Sequence, residues 1–327
     1  MNREHDLFGR LIVLVGGNGF FGTHLTQQLL AQGARVRVAS RRPERGFRLR
    51  PLAALGQIQF VRCDLGDPGA VAATVAGADA VINLAGAFRG NLDALHVAGA
   101  RRLAEASQAA GVRAFLQISA LSAEARSPSV YLRTKAEGET AVLAGFPGAT
   151  IVRPSVLFGQ DDHFVNLLGG LIAHLPVVPV FAPKAELQPL YVEDAARAVV
   201  TIIGETLTGK PAHCGTTYEI AGPERITMIA LNRRIAAAQG RNRLFLALPD
   251  FVSGAIAKAT GWLPFAPLSR DQWAMLKAGN VLSGRLPGLK ELGITPRPLG
   301  LFLDRWMTRY RRHGRFGVHT TGVRRET

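Results

Sequence analysis

The chain has 327 residues, enough for one large α/β domain with an appended lobe or for two ordinary domains. With 47% hydrophobic residues, 36 glycines and a mean hydropathy of +0.13, it falls outside the composition of disordered chains. A formal charge of +15, from 33 arginines and 6 lysines against 24 carboxylates, favours anionic partners such as nucleic acid, phospholipid or acidic protein.

Met1 to Arg10 carries Arg3, Glu4, His5 and Asp6 and leads straight into an apolar strand, leaving no room for a secretory leader. Cys63 and Cys214 lie far apart and form no C-x-x-C pair, so neither a disulfide framework nor a metal site is expected, and a reducing compartment fits. Strands are predicted at Leu11–Val15, Arg35–Ala39, Ile58–Arg62, Ala80–Leu84, Ala114–Ile118 and Thr150–Val152, with amphipathic segments between them. That alternation is the pattern of βαβ units, so the fold class expected is α/β: a doubly wound parallel sheet, the Rossmann fold, with a smaller C-terminal α+β lobe. After Gly159 the alternation lapses among Pro176, Pro179, Pro183 and Pro189. The boundary is therefore set at 159. Residues 1–159 form the dinucleotide domain, and 160–327 a mixed lobe with sheet-completing segments at about 186–204 and a basic aromatic tail at about 301–316. The apolar stretch Leu167–Ala182 is too short and too broken by His174, Pro176 and Pro179 to span a bilayer, so a packed core segment is expected.

The first chemical signal follows the first strand. In Gly16-Gly17-Asn18-Gly19-Phe20-Phe21-Gly22, Gly16 permits a tight turn, Gly19 lets backbone approach a pyrophosphate, and Gly22 lets a helix running from about Phe20 to Gln32 pack closely. The helix N-terminus then offers N–H donors and a positive dipole end to phosphates. About 20 residues on, where a carboxylate would hold a free ribose 2′-hydroxyl, the chain reads Ser40-Arg41-Arg42. Guanidinium groups match a 2′-phosphate, so NADPH is expected over NADH, although in so arginine-rich a chain Arg41 and Arg42 could also be plain surface residues. Asp64-Leu65 suits the adenine edge, or Asp64 caps a helix. Asn83-Leu84-Ala85-Gly86 ends the fourth strand with small residues that let a cofactor pass close to backbone. Tyr131-Leu132-Arg133-Thr134-Lys135 puts a phenol and an ammonium one helical turn apart, and Ser119 ends the preceding strand. A lysine near the phenol is expected to lower its pKa for general acid/base chemistry, with Ser119 orienting a substrate oxygen; the alternative is a surface pair and a capping serine.

Together with Arg153-Pro154-Ser155-Val156-Leu157-Phe158-Gly159 and Tyr191-Val192-Glu193-Asp194, these residues resemble the short-chain dehydrogenase/reductase superfamily, in its extended or atypical branch of NAD-dependent epimerases and dehydratases. The resemblance implies that Tyr131 and Lys135 anchor the nicotinamide ribose with Ser119 assisting, and that Pro154, Ser155 and Val156 line the cofactor. Val156 stands where many sugar-nucleotide members have Asn, which puts nucleotide-sugar turnover in doubt. Tyr131-Leu-Arg-x-Lys-Ala-x-Gly-Glu139, Leu187-Gln-Pro-Leu-Tyr-Val-Glu-Asp194 and the ending Arg309-Tyr-Arg-Arg-His-Gly-Arg-Phe-Gly317 look like the NADPH-binding accessory subunits of respiratory complex I and their bacterial relatives. That resemblance implies a structural nucleotide and partners among the hydrophilic-arm subunits close to the membrane. It also implies a peripheral place on the cytoplasmic face of a bacterial inner membrane or on the mitochondrial matrix face. The arginine and aromatic ending suits anionic phospholipid headgroups, or is a solvated helix. Nucleic acid is not expected, because no helix-turn-helix, RNP or zinc signature accompanies the charge. Two functions stay open: an NADP(H)-dependent enzyme, or a non-catalytic accessory subunit, which the tail favours.

Overall fold

The computed structural model of the chain describes residues 7–209, 211–260, 269–312 and 314. The residues on which the leader expectation rests, 3 to 6, and the tail residues 313, 315 and 316 lie outside them.

The chain alternates as β1 (Leu11–Val15), α1 (Phe20–Ala31), β2 (Arg35–Ser40), β3 (Ile58–Arg62), α2 (Pro68–Val75), β4 (Ala80–Asn83), α3 (Gly99–Ala109), β5 (Ala114–Ile118), α4 (Val130–Gly145) and β6 (Thr150–Pro154). A 3-10 helical stretch, Pro43–Leu52, follows β2, and a π-helical turn, Asp93–Ala98, runs into α3. The expected strands are all present. All seven strands of the central sheet run parallel, in the spatial order β11, β6, β5, β4, β1, β2, β3, where β11 is Thr217–Ile220. Strands sandwiched between helix layers must be apolar on both faces. In β1, Ile12 and Leu14 pack with Leu25 and Leu29 of α1, while Val13 and Val15 turn to the opposite side with Val71 and Val75 of α2. Each such side chain, fully buried, contributes roughly 1.5–3 kcal/mol.

Past β6 come β7 (Leu157–Phe158), α5 (Phe164–His174), β8 (Val177–Val180), β9 (Glu186–Leu187), β10 (Leu190–Tyr191) and α6 (Val192–Leu207). The stretch 186–204 does not complete the central sheet. β9 and β10 are two-residue strands in small sheets of their own, β9 paired with β12 (Ile226–Thr227) and β10 with β7, and the seventh central strand is β11. α6 nevertheless packs beneath the sheet beside α1, with Val199, Ile202 and Ile203 fully buried, so residues beyond 159 also build the core under the central sheet. The lobe proper is a third apolar cluster. It joins Ile172 of α5, Leu231 and Ile235 of α7 (Met228–Ala238), Val178 and Val180 of β8, and Leu303 and Met307 of α10 (Gly300–Met307), with β13 (Leu244–Ala247) alongside β8. Between these, α8 (Asp250–Thr260) precedes α9 (Arg270–Ala278), which packs at the start of α4.

The expected display of aromatic rings on the tail is not what forms. Phe302 stacks on Tyr191 at 4.2 Å and on Trp306 at 4.9 Å, both pack against the third cluster, and the Tyr310 hydroxyl donates to the Asn166 carbonyl. Rings that close a small core gain more there than in water. The Leu167–Ala182 stretch is likewise only half core, because Leu167, Leu171, Leu175 and Val177 are exposed.

One polar clamp joins α1 to α6. His24 Nδ1 lies 2.5 Å from Glu193 Oε1 and its Nε2 lies 3.0 Å from Asp161 Oδ1, while Gln28 donates to Glu193 Oε2 at 2.6 Å. Burial lowers the His24 pKa, but the hydrogen bonds and charges of Glu193 and Asp161 outweigh it and the net shift is upward. Burial raises that of Glu193, and its bonds to His24 and Gln28 bring it below the usual carboxylate value. A raised histidine stabilises fully below its unfolded pKa of about 6.5, and this contribution fades as pH rises through the folded value; a depressed carboxylate stabilises above its unfolded value of about 4.3. Thermal melts are thus expected to show an optimum near pH 5–6.5 and a decline toward pH 8 that His24→Gln flattens. An identical pH profile in the variant would refute the clamp.

Candidate functional site

The glycine turn sits against the C-terminal ends of β2 and β4. Gly16 has φ +82°, and a Cβ there would lie 3.1 Å from the Ala85 nitrogen and the Leu84 carbonyl carbon, so the turn touches the end of β4 with no room for a side chain. A Cβ on Gly22 would fall 2.4 Å from the Gly17 oxygen, so α1 is pressed directly onto the turn. Gly19 is the N-cap of α1 with no side-chain cap, leaving the first amides of the helix directed outward. Asn18 ties the turn to β2, its Nδ2 donating to Ser40 Oγ at 3.0 Å and to the Arg42 carbonyl at 3.1 Å. The Phe20 ring lies over Gly159 and edge-on to His24, and Phe21 packs against the first core cluster.

Arg41 and Arg42 are exposed beside Ser40, and no carboxylate pairs with them among the described residues. The sequence reading missed Arg48. From the 3-10 stretch it reaches back to donate to Thr23 Oγ1 at 3.0 Å and to the Asn18 carbonyl, adding a guanidinium to the rim; the crowded Arg-Arg-Pro-Glu-Arg-Gly-Phe-Arg run was its only sequence signal. Asp64 is exposed and accepts from the Gly66 amide at 2.8 Å, while Asp67, not Asp64, caps α2. Leu65 is buried in the second cluster against Gly99. Asn83 shapes the β4 turn by accepting from the Ala85 amide and donating to Gln117 at 2.8 Å.

On α4, Lys135 projects into the gap between β4 and β5. Its Nζ donates to the Ile118 carbonyl at 3.1 Å and to Ala85 at 3.5 Å, and lies 3.4 Å from where a Cβ of Gly86 would stand. Burial pushes its pKa down to about 8, against the pull of Glu139. The Tyr131 ring centroid is 5.9 Å from Nζ. The expectation that Lys135 lowers the phenol is overturned: burial first, and then the charge of Asp271, push Tyr131 up to about 12. Asp271, at the start of α9, is there because it accepts the Val130 amide at 2.6 Å and the Tyr131 amide at 3.3 Å. Ser119 is not a cap either, since Ser129 caps α4. The Ser119 hydroxyl is buried at 4% exposure with no partner among the described residues, a polar atom prepared for a group that the protein itself does not supply.

Two further residues complete the wall and carried no sequence signal. His96, on the π-helical turn, accepts the Ala87 amide at Nε2 (3.1 Å), which places its proton on Nδ1, donating to Thr134 Oγ1 at 2.9 Å. Burial and then the Lys135 charge push it down to about 3, so it stays neutral. Phe88, at the end of the loop thus fixed, stacks on Tyr131 at 4.6 Å. Pro154, Ser155 and Val156 form a neighbouring wall, but Ser155 Oγ is taken by the Gln188 carbonyl at 2.6 Å and the Val156 amide by Asn280 at 2.6 Å. The structure thus brings the glycine turn, Ser40, the β4 turn, Tyr131 and Lys135 into one crevice, at the sheet's C-terminal edge where α/β folds bind ligands. No cluster of metal-ligating side chains occurs among the described residues.

Residues 16–168 match a family described as NAD(P)H-binding. Over 300 residues the chain is 33% identical to mouse NADH dehydrogenase [ubiquinone] 1 alpha subcomplex subunit 9, mitochondrial, spanning 90% of this chain and 78% of that one. It belongs to the family of these complex I subunits. A second relative in the same range is the ceramide reductase of Caulobacter vibrioides, 32% identical over 79% of this chain and 80% of that protein. The fold is also that of an NADPH-dependent quinone oxidoreductase from Escherichia coli solved with NADPH, at TM-score 0.70 and 21% identity, covering 90% of this chain and 99% of that one. The dinucleotide domain is therefore an NAD(P)-binding Rossmann domain.

Proposed function

We propose that the chain holds NADPH as a structural cofactor and serves as an accessory or assembly subunit of respiratory complex I. The observation that carries this reading is kinship to the mitochondrial subunits over 90% of the chain, lobe included, and not over the nucleotide domain alone. The glycine turn and the α1 amides would receive the pyrophosphate; Arg41, Arg42 and Arg48 the 2′-phosphate; and Tyr131 and Lys135 the nicotinamide ribose. The crevice supports this fit, with glycine positions that admit no Cβ and a buried Ser119 hydroxyl without a partner among the described residues. When bound, the nucleotide supplies a hydride donor.

The second reading, an NADP(H)-dependent reductase, is favoured by the ceramide reductase relative and the intact Ser119, Tyr131 and Lys135 set. Purification from native membranes at low salt, with mass spectrometry of co-eluting proteins and extracted nucleotide, separates the two. NADPH together with complex I subunits is expected. A soluble monomer that oxidises NADPH against a carbonyl compound, and loses this in Tyr131→Phe, would overturn the accessory reading.

Cofactor choice has its own test. Arg41→Asp with Arg42→Asp removes two charge-assisted contacts and adds repulsion, so NADPH affinity is expected to fall roughly 100-fold or more while NADH affinity changes little. Tighter binding of NADH than NADPH by the unaltered protein would refute the assignment.

A further inference from the structure

The lobe carries an apolar face that nothing in the described residues covers. On α5, Val165, Gly169 and Ile172 turn inward, while Leu167, Leu171 and, at the C-cap, Leu175 are exposed. β8 follows at once and alternates, with Val178 and Val180 buried and Val177 and Pro179 outward. Its partner β13 sets Leu244 beside Val177 and Leu246 beside Pro179, and these two leucines are 66% and 52% exposed. A sheet with one solvated face normally turns polar side chains to water. Here the outward positions are Val, Pro, Leu and Leu, and in the chain they follow directly on the leucine stripe, an unusual amount of exposed apolar surface of the kind that marks a contact face.

The segments that form this face carry basic and no acidic side chains, the carboxylates nearest in the chain being Asp161, Asp162, Glu186 and Asp250 at their edges. Neither residues 164–185 nor residues 241–249 contain an Asp or Glu. Arg243 lies at one end of the stripe, donating to the Ile172 and Ala173 carbonyls, and Arg309 lies at the other, donating to Gln160 and to Asn166, the neighbour of Leu167. Arg241 donates to the Tyr310 carbonyl. Uncharged oxygens orient these guanidiniums without neutralising them. Beside Arg309 a groove of about 410 Å³ opens, with Arg305 on its wall.

We propose that this face, the leucines of α5, β8 and β13 rimmed by Arg243 and Arg309, rests on the headgroup layer of an anionic phospholipid membrane. Apolar side chains entering the interface with guanidiniums at phosphate level is the arrangement such a surface selects. A second copy of the chain is a poor occupant, since it would bring the same arginine rim and a formal +15 against its like. The inference moves the membrane contact from the aromatic tail to α5 and the β8–β13 sheet, and rests on the accessory-subunit reading only for having a membrane nearby.

Flotation of the purified full-length protein with vesicles of phosphatidylcholine, alone or mixed with phosphatidylglycerol, tests it. Binding is expected on the mixed vesicles, weakened by salt, and reduced roughly tenfold or more in Leu171→Glu with Leu244→Glu. Both positions are exposed, so melting temperature and nucleotide content should hold; Leu246→Glu serves as a second variant. Leu55→Glu, at an exposed position on the dinucleotide domain, is expected to change nothing. Equal binding to both vesicle types, no binding, or unchanged binding by the leucine variants would overturn the proposal. So would leucine variants that bind vesicles normally yet lose co-purifying protein, which would assign the face to a protein partner. If complex I subunits fail to co-purify while vesicle binding persists and is lost in the leucine variants, the accessory reading falls and the docking face stands.

Discussion

Gly19→Ala is expected to leave the chain folded and to abolish most of its nucleotide affinity, whereas Gly22→Ala should damage both. The difference lies in what each added methyl meets. Gly19 has extended backbone (φ −79°, ψ −178°) that alanine adopts freely, and its Cβ would touch only the Gly16 oxygen at 3.5 Å, an ordinary contact. The methyl would project beside the N-terminus of α1, where the resemblance to dinucleotide-binding chains places a pyrophosphate. Crowding there should weaken NAD(P)H binding roughly ten- to hundredfold, with the melting temperature of the nucleotide-free protein preserved. The Cβ of Gly22 would instead lie 2.4–2.5 Å from three backbone atoms of Gly17, none of which can move without prising α1 off the turn. That variant should lose about 1–3 kcal/mol of stability as well as its ligand. Fluorescence titration with NADPH and thermal melts, with and without nucleotide, read both effects. Wild-type affinity in Gly19→Ala would mean that no pyrophosphate approaches this turn.

What the sequence made legible, and what it hid, divides along the range of the interaction. The glycine turn, the β1 to β6 strands and the Tyr131–Lys135 pair were readable because each depends on neighbours within a few residues: period-two apolar runs, an i, i+4 pair, a strand leading into a helix. β11 was missed because Thr217-Tyr-Glu-Ile is short and carries a buried glutamate. Glu219 is tolerated there because it accepts the Ser283 amide at 2.8 Å, a partner 64 residues on. The direction of the Tyr131 shift was misread for the same reason. Lys135 is visible four residues away, but the burial and the Asp271 carboxylate that raise the phenol come with a helix 140 residues later in the chain. His96 had no sequence signal, since only the fold brings the π-helical turn against α4, where its carbonyl oxygen leaves space for nothing larger than Gly138. On the tail the amphipathic pattern was real, but pattern alone does not say which face is wet. Leu303 and Met307 anchor α10 inward, and Phe302 and Trp306 follow them.

Arg297→Ala should be strongly destabilising. Asp194, in the first turn of α6, is fully buried, and its carboxylate accepts from Arg297 three times: from the backbone amide at 2.8 Å, Nε at 2.9 Å and Nη2 at 2.7 Å. The guanidinium also lies 4.4 Å over the Tyr191 ring, so one side chain joins α6 to the aromatic cluster that seats α10. Truncation keeps the amide but leaves a buried carboxylate without its counter-charge, an imbalance worth about 3–5 kcal/mol in comparable pairs. The melting temperature should then fall by roughly 4–7 °C. Arg297→Lys should recover only part of this, because an ammonium restores charge but not the planar fork or the stack on Tyr191. Removing both charges tells the two sources of the loss apart. If the damage comes from the stranded carboxylate, Asp194→Leu with Arg297→Met should melt well above Arg297→Ala, since no buried charge then remains. A double variant as unstable as the sum of its singles would show that packing on Tyr191, and not charge pairing, holds α10 against α6.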